Sequence, residues 1–161
     1  MSRKDGREFG PTVAVRAALE CDVEEQASLF DDYRVFYGES RSPDRALSLV
    51  RQQINTGNTR LFVAAADPSE KLVGFVHLIP SLNTLVMRPI WYLEDLFVSP
   101  AERRLGVATA LMNCAEHFAR QTGAERLTLA TARDNAVAQA FYRKLGYVSE
   151  EHFVYYHRLL H

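Results

Sequence analysis

The sequence predicts an α/β fold in which a sheet carries helices on both faces. Three observations lead there. Segments with strand and helix periodicity follow one another in the order β-α-α-β-β-β-α-β-α-β-β, an order that favours a layered α/β sheet. The segment Ile90–Val98 is strongly apolar, as a strand covered on both faces is. The length of 161 residues, with 47% hydrophobic and 24% charged side chains, suits one globular domain. That domain is read as residues 12–161, after a flexible tail at 1–11 that ends at Gly10-Pro11.

Each element has its own signal. Val13–Ala17 reads as a short strand. A helix follows from Asp22, as N-cap, through Ala27, Phe30 and Tyr33 towards Tyr37, and Gly38 ends it. Ser42-Pro43-Asp44 starts a second helix, with Ala46, Leu47, Val50 and Ile54 at helical spacing and Gly57 beyond. Leu61–Ala66 and Leu72–Pro80 are apolar runs joined by the polar turn Asp67-Pro68-Ser69-Glu70, a hairpin signal. After Ile90–Val98 the pattern is helical from Arg103 to Gln121, with Val107, Leu111, Met112, Ala115 and Phe118 on one face and Gly123 closing it. Arg126–Ala130 is a strand, Asn135–Leu145 a helix stopped by Gly146, and Tyr147 to Leu160 one or two final strands.

Composition excludes several functions. Nineteen basic against twenty acidic residues leave a net charge of −1, so coating nucleic acid or anionic lipid is not expected. No apolar run approaches membrane-spanning length, and the N-terminus lacks a signal-peptide pattern. Cys21 and Cys114 are too few for a disulfide framework, and no Cys/His spacing suits a metal. A reduced, cytoplasmic setting follows as the default.

Three segments carry chemistry. In Leu93-Glu-Asp-Leu-Phe-Val-Ser-Pro-Ala-Glu-Arg-Arg-Leu-Gly-Val-Ala108 a strand ends and a helix opens. Unpaired N–H groups and the helix dipole make such a start an anion site fit for a pyrophosphate. The small residues Gly106 and Ala108 would let a diphosphate approach, and Arg103 and Arg104 flank it. The spacing is neither a Walker loop nor a dinucleotide fingerprint, and it also fits a surface helix start with two solvated arginines. The second segment is Glu94-Asp95 inside the apolar strand. Alternation places the two carboxylates on opposite sides. Burial would raise a carboxylate's pKa towards that of a general base; Asp95 reads instead as an acceptor for neighbouring arginine or backbone groups. The third is Asp134-Asn-Ala-Val-Ala-Gln-Ala-Phe-Tyr-Arg-Lys-Leu-Gly-Tyr147. Asn135 opens its helix, Val137, Phe141 and Leu145 form a stripe, and Tyr142 lies beside it.

Together these segments resemble the GNAT superfamily of acetyl-CoA-dependent N-acetyltransferases, from about Val13 to Leu160 and most specifically from Tyr92 to Tyr147. The family's pyrophosphate signature, Arg/Gln-x-x-Gly-x-Gly/Ala, stands as Arg103-Arg-Leu-Gly106-Val-Ala108. Its later helix signature runs from Asn135 through Phe141-Tyr142 to Gly146-Tyr147. The resemblance implies a mixed, mostly antiparallel central sheet and acetyl-CoA as cosubstrate, with no metal.

Site roles also come from the resemblance. Leu96, Phe97 and Val98 match the strand end that pairs with the pantetheine arm. Arg103, Arg104, Leu105, Gly106, Val107, Ala108 and Thr109 match the pyrophosphate loop, and Asn135 a polar residue near the pantetheine. Tyr142 matches the tyrosine that protonates the departing thiolate. Glu94, in Tyr92-Leu-Glu-Asp, resembles the general base of spermidine/spermine-type members. Arg104 departs from the pattern, since many members carry glycine there.

The acceptor is an amine on a small molecule or peptide, and a polyamine, an aminoglycoside, a small amine or a protein lysine all fit. Tyr33, Tyr37 and Glu39 on the first helix, with Tyr156 near the C-terminus, are candidate acceptor contacts, because aromatic walls with carboxylates suit a cation. The same aromatics also fit a helix packed on a sheet. The resemblance admits a homodimer. A non-catalytic acetyl-CoA-binding or sensor domain is the alternative function; a protein-interaction module is a third.

Overall fold

A computed structural model describes residues 13–67 and 69–160. The tail expected over 1–11 lies outside them. The chain forms two compact units, divided after Leu129, which are taken in turn.

The first unit is a five-stranded sheet with helices on both faces. The strands are β1 (Val13–Ala17), β2 (Arg60–Ala66), β3 (Leu72–Asn83), β4 (Arg88–Val98) and β5 (Leu127–Leu129). They lie side by side in chain order, β1 to β4 antiparallel and β5 parallel to β4. The helices are α1 (Val23–Phe36), α2 (Pro43–Thr56) and α3 (Val107–Gln121). Successive side chains of a strand point to opposite faces, so β2 is shared between two cores. Leu61, Val63 and Ala65, with Phe75 and Phe97, pack under Ala27 and Leu29 of α1 and Ala46 and Val50 of α2. On the other face Phe62 and Trp91 meet Phe118 of α3, with ring centroids 5.4 and 5.0 Å apart. Phe75 is fully buried; truncating such a side chain to alanine costs about 3–5 kcal/mol.

Several expectations are corrected here. Asp22 does not cap α1 with its side chain. Its carboxylate accepts from Arg16 (2.6 and 2.9 Å) and from the Leu19 N–H (2.7 Å), closing a 3-10 turn instead. Those donors, Arg16 first, hold its carboxyl below the usual carboxylate range. The third helix begins at Val107 rather than Arg103, because Arg104 (φ 66°) and Gly106 (φ 84°) are left-handed and cannot continue a helix. Cys21 is exposed.

The loop between α1 and α2 is pinned by the buried Asp31, which accepts from the Ser42 N–H (2.9 Å), Arg34 (3.0 Å) and Arg41 (3.4 Å). These partners, the Ser42 amide foremost, hold its carboxyl below the ordinary value. That anchor fixes the C-terminal turn of α1, which carries Tyr33 and Tyr37.

The second unit contains α4 (Ala136–Lys144). Asn135 is its N-cap and accepts from the Ala138 N–H at 3.1 Å. Val137, expected in a buried stripe, is exposed. Residues 148–160 are neither helix nor strand. The two final strands of the expected order are therefore absent among the described residues. Their alternating apolar side chains, Phe153, Tyr155 and Leu159 among them, are exposed; a strand needs a paired ladder, which this segment lacks. No helix among the described residues is long and apolar enough to cross a membrane.

Candidate active site

The middle of β4 is irregular, and this decides the site. His77 pairs with Asp95, but Leu78 pairs with Leu93, so Glu94 is the extra residue of a bulge in β4. The bulge breaks strict alternation, and the expectation that the two carboxylates face opposite sides does not hold. Tyr33 of α1 feels both. Burial, a hydrogen bond to Asp95, and the charges of Asp95, Tyr37 and Glu94, in that order, hold its phenol well above the usual range. Glu94 itself is exposed, not covered by the sheet's helices as the apolar strand suggested. Asp95 is the enclosed carboxylate. Its Oδ2 lies 3.1 Å from His77 Nδ1, so its partner is a histidine rather than arginine or backbone.

The bulge directly follows the last β4 residue paired with β5. β5 pairs with β4 only at Trp91, Tyr92 and Leu93. From Glu94 to Val98, through Leu96 and Phe97, β4 therefore has no β5 partner among the described residues. A strand edge of this kind offers N–H and C=O groups to an extended ligand.

Beyond Val98 a 3-10 turn at Pro100–Glu102 leads into the loop before α3. Gly106 is the N-cap of α3 and has no side chain to cap it; the first helical bond runs from the Ala110 N–H to the Gly106 carbonyl (3.0 Å). The amides of Val107, Ala108 and Thr109 are thus first-turn donors without helical partners. The space where a Gly106 Cβ would stand is open. Leu105 and Arg104 are exposed beside it, and Arg104 holds left-handed geometry where many family members carry glycine. Backbone, not side chain, shapes this helix start.

Arg103 has a different duty from the flanking charge expected of it. Its Nε donates to the Val98 carbonyl (3.1 Å), and its guanidinium lies over the Phe36 ring (4.9 Å) and near the Phe97 ring (5.8 Å). It ties the end of β4 to the last turn of α1.

The chain matches the acetyltransferase (GNAT) family over residues 26–147, which spans the bulge, the loop and α4. The chain belongs to that family. The N-acetyltransferase YhfO of Bacillus subtilis is 32% identical over 142 residues, 88% of this chain and 94% of the relative. An aminoglycoside N(6')-acetyltransferase type 1 of Acinetobacter baumannii is 34% identical over 115 residues, 70% of this chain and 79% of the relative. Among solved structures, a probable acetyltransferase superposes with a TM-score of 0.87 at 30% identity, covering 92% of this chain and 98% of that one. The acetyltransferase fold and family expected from the motifs therefore hold. Likeness to spermidine/spermine-type members in particular has no counterpart among these relatives.

The remaining expected contacts separate. Tyr33 and Tyr37 are adjacent, ring centroids 5.1 Å apart, and Tyr33 also touches Phe75 and Phe97 at 5.9 Å each. The Glu39 carboxylate lies 3.7 Å from Arg34, so part of its charge is neutralised. Within the second unit Tyr142 stacks with Phe141 (5.5 Å) and Tyr147 (6.0 Å), while Tyr156 is exposed. No cluster of three or more His, Cys, Asp or Glu among the described residues could hold a metal. Sequence reasoning missed His77, whose pairing with Asp95 only the strand register reveals.

Proposed function

We propose that this family member moves an acetyl group from acetyl-CoA to a primary amine by direct attack, with Glu94 as general base and Tyr142 as general acid. The observation that carries the reading is the β4 bulge: it puts an exposed carboxylate just past the last β4 residue paired with β5. The unpartnered amides from Val107 to Thr109 suit the diphosphate of coenzyme A, and the free edge of β4 from Leu96 to Val98 suits its pantetheine arm. Asn135 keeps its side-chain N–H₂ for the same arm, its oxygen being engaged at the cap.

An alkylamine like lysine has a pKa of about 10.4, so it arrives as an ammonium at neutral pH. Glu94 accepts one proton, directly or through a water. The freed nitrogen lone pair forms the N–C bond at the thioester carbonyl, and an amide of Leu96 or Val98 donates to the carbonyl oxygen as it gains charge. The C–S bond breaks, Tyr142 gives its proton to the leaving sulfur, and the attacking nitrogen returns one. The products are an N-acetyl amine and a free thiol.

Acceptor choice rests on the aromatic turn Tyr33–Tyr37 beside the Glu94–Asp95 bulge, which suits a cation. The aminoglycoside acetyltransferase among the relatives makes a polycationic amino sugar a strong candidate beside polyamines, small amines and peptide lysine. A homodimer and a cytoplasmic location belong to the same reading. The test is thiol release from acetyl-CoA with butylamine, 1,4-diaminobutane, spermidine, kanamycin and a lysine peptide. Amine-dependent release is expected with at least one. Thermal stabilisation by acetyl-CoA with no release from any amine would favour a sensor domain instead.

A further inference from the structure

His77 sits where an apolar side chain would serve the fold better. It is 4% exposed in the middle of β3, flanked by the buried Val76 and Leu78. Its Nδ1 faces Asp95 Oδ2 at 3.1 Å, while its Nε2 is buried without a hydrogen-bond partner. In the tautomer whose Nδ1 donates to Asp95, the orphan Nε2 is a bare lone pair. An unsatisfied buried polar atom destabilises a fold. The cost calls for a return elsewhere.

Three contacts show where that return lies. His77 and Asp95 are the last register pair before the bulge, so their hydrogen bond staples β3 to β4 immediately beside Glu94. Asp95, its side chain 13% exposed, adjoins Glu94 in the bulge. Tyr33 stacks edge-on against Tyr37 at 5.1 Å, and Tyr37 is 59% exposed. A buried histidine is thus tied directly to the acidic bulge that faces an incoming amine.

We propose that His77 is a positioning residue for the acceptor amine, acting through Asp95 and the β4 bulge that carries Glu94. This rests on the acetyl-transfer reading above and names the residue that sets its acceptor side. The backbone amides from Val107 to Thr109 belong to a separate element, and the β4 edge beyond Leu96 meets these residues only where the Tyr33 ring lies 5.9 Å from Phe97.

The test is steady-state kinetics with each of the five panel amines and, separately, with varied acetyl-CoA. His77→Leu should lower kcat/KM for the amine about tenfold or more, the loss of one charge-assisted hydrogen bond, and leave the KM for acetyl-CoA within about twofold. His77→Asn places an amide N–H near the Nδ1 position and should restore the amine kcat/KM to within about threefold of wild type. If His77→Leu does not fold, His77→Gln, whose amide reaches towards the Nε2 side, takes its place in the comparison. A merely structural role would depress both substrates alike, with Asn no better than Leu or Gln. That result overturns the proposal, as does an unchanged amine kcat/KM in His77→Leu. A wild type that is inactive with every amine overturns the acetyl-transfer reading, and this proposal with it; an active wild type with a silent His77→Leu overturns the proposal alone.

Discussion

The middle of β4 and the start of α3 lie about ten residues apart in sequence, yet in the proposed reading they would meet their ligands by opposite means. At β4 the working parts are side chains: Glu94 on a bulge, Asp95 held by His77, and Tyr33 reaching from α1. At α3 they are backbone amides, exposed because Arg104 and Gly106 turn left-handed and no side chain caps the helix. The first region should therefore be sensitive to chemistry at constant shape. The second should be sensitive to backbone shape at almost any chemistry.

The largest expected effect is at the bulge. Glu94→Gln keeps the shape and removes the base, so kcat should fall by roughly 10²–10⁴-fold at neutral pH while the affinity for acetyl-CoA, read by calorimetry, stays unchanged. Tyr142→Phe should follow, with a loss of about 10²-fold in kcat and no change in melting temperature. Either variant at full activity would move its residue out of the chemistry.

At the α3 start the expectations invert. Gly106→Val adds no charge, yet left-handed strain of about 1–3 kcal/mol and a side chain in the open approach should weaken acetyl-CoA binding at least about fivefold. Arg104→Gly should change that affinity little and leave melting unchanged or slightly raised, since glycine adopts φ 66° without strain. A large affinity loss in Arg104→Gly would instead show the arginine side chain gripping the diphosphate. Comparing Gly106→Val with Arg104→Gly separates backbone from side chain.

The smallest effect lies away from both regions and serves as a control. Asp22, hydrogen-bonded to Arg16, has its carboxyl held below the ordinary value, so it binds its proton less readily folded than unfolded. Its stabilisation is present above the unfolded pKa of about 3.9 and is lost as pH falls through the lower folded value. Arg16→Ala should cost about 1 kcal/mol at pH 6, given the partial exposure of the arginine, and progressively less below pH 4. Urea melts across that range read it directly, and transfer activity should not move.

Much of the fold could be read from the sequence because its periodicity was strong. β1 and the β2–β3 hairpin stand where apolar runs and turn residues place them, and α2 buries Ala46 and Val50 as its spacing requires. The start of α3 could not be read, since helical periodicity is blind to a left-handed arginine. The last strands were misread because alternating apolar residues resemble a strand whether or not a partner exists. At the candidate site, Glu94 and the loop stand out in the sequence as parts of motifs. The bulge, and with it the grouping of Glu94, Asp95 and Tyr33, does not, because register is a property of two strands. His77 carried no sequence signal at all: one histidine in an apolar run looks like packing until its cross-strand partner is known.

The claim at the centre of this account is that Glu94 supplies the proton acceptor that frees the amine. The most direct measurement is the pH dependence of acetyl transfer by wild type and Glu94→Gln, from neutral pH up to the pKa of the amine, about 10 for an alkylamine. Above neutrality solvent increasingly delivers the free base. The deficit of Glu94→Gln should therefore shrink by up to about tenfold per pH unit until the two enzymes converge near that pKa. A deficit that stays constant across the range would contradict a general-base role for Glu94.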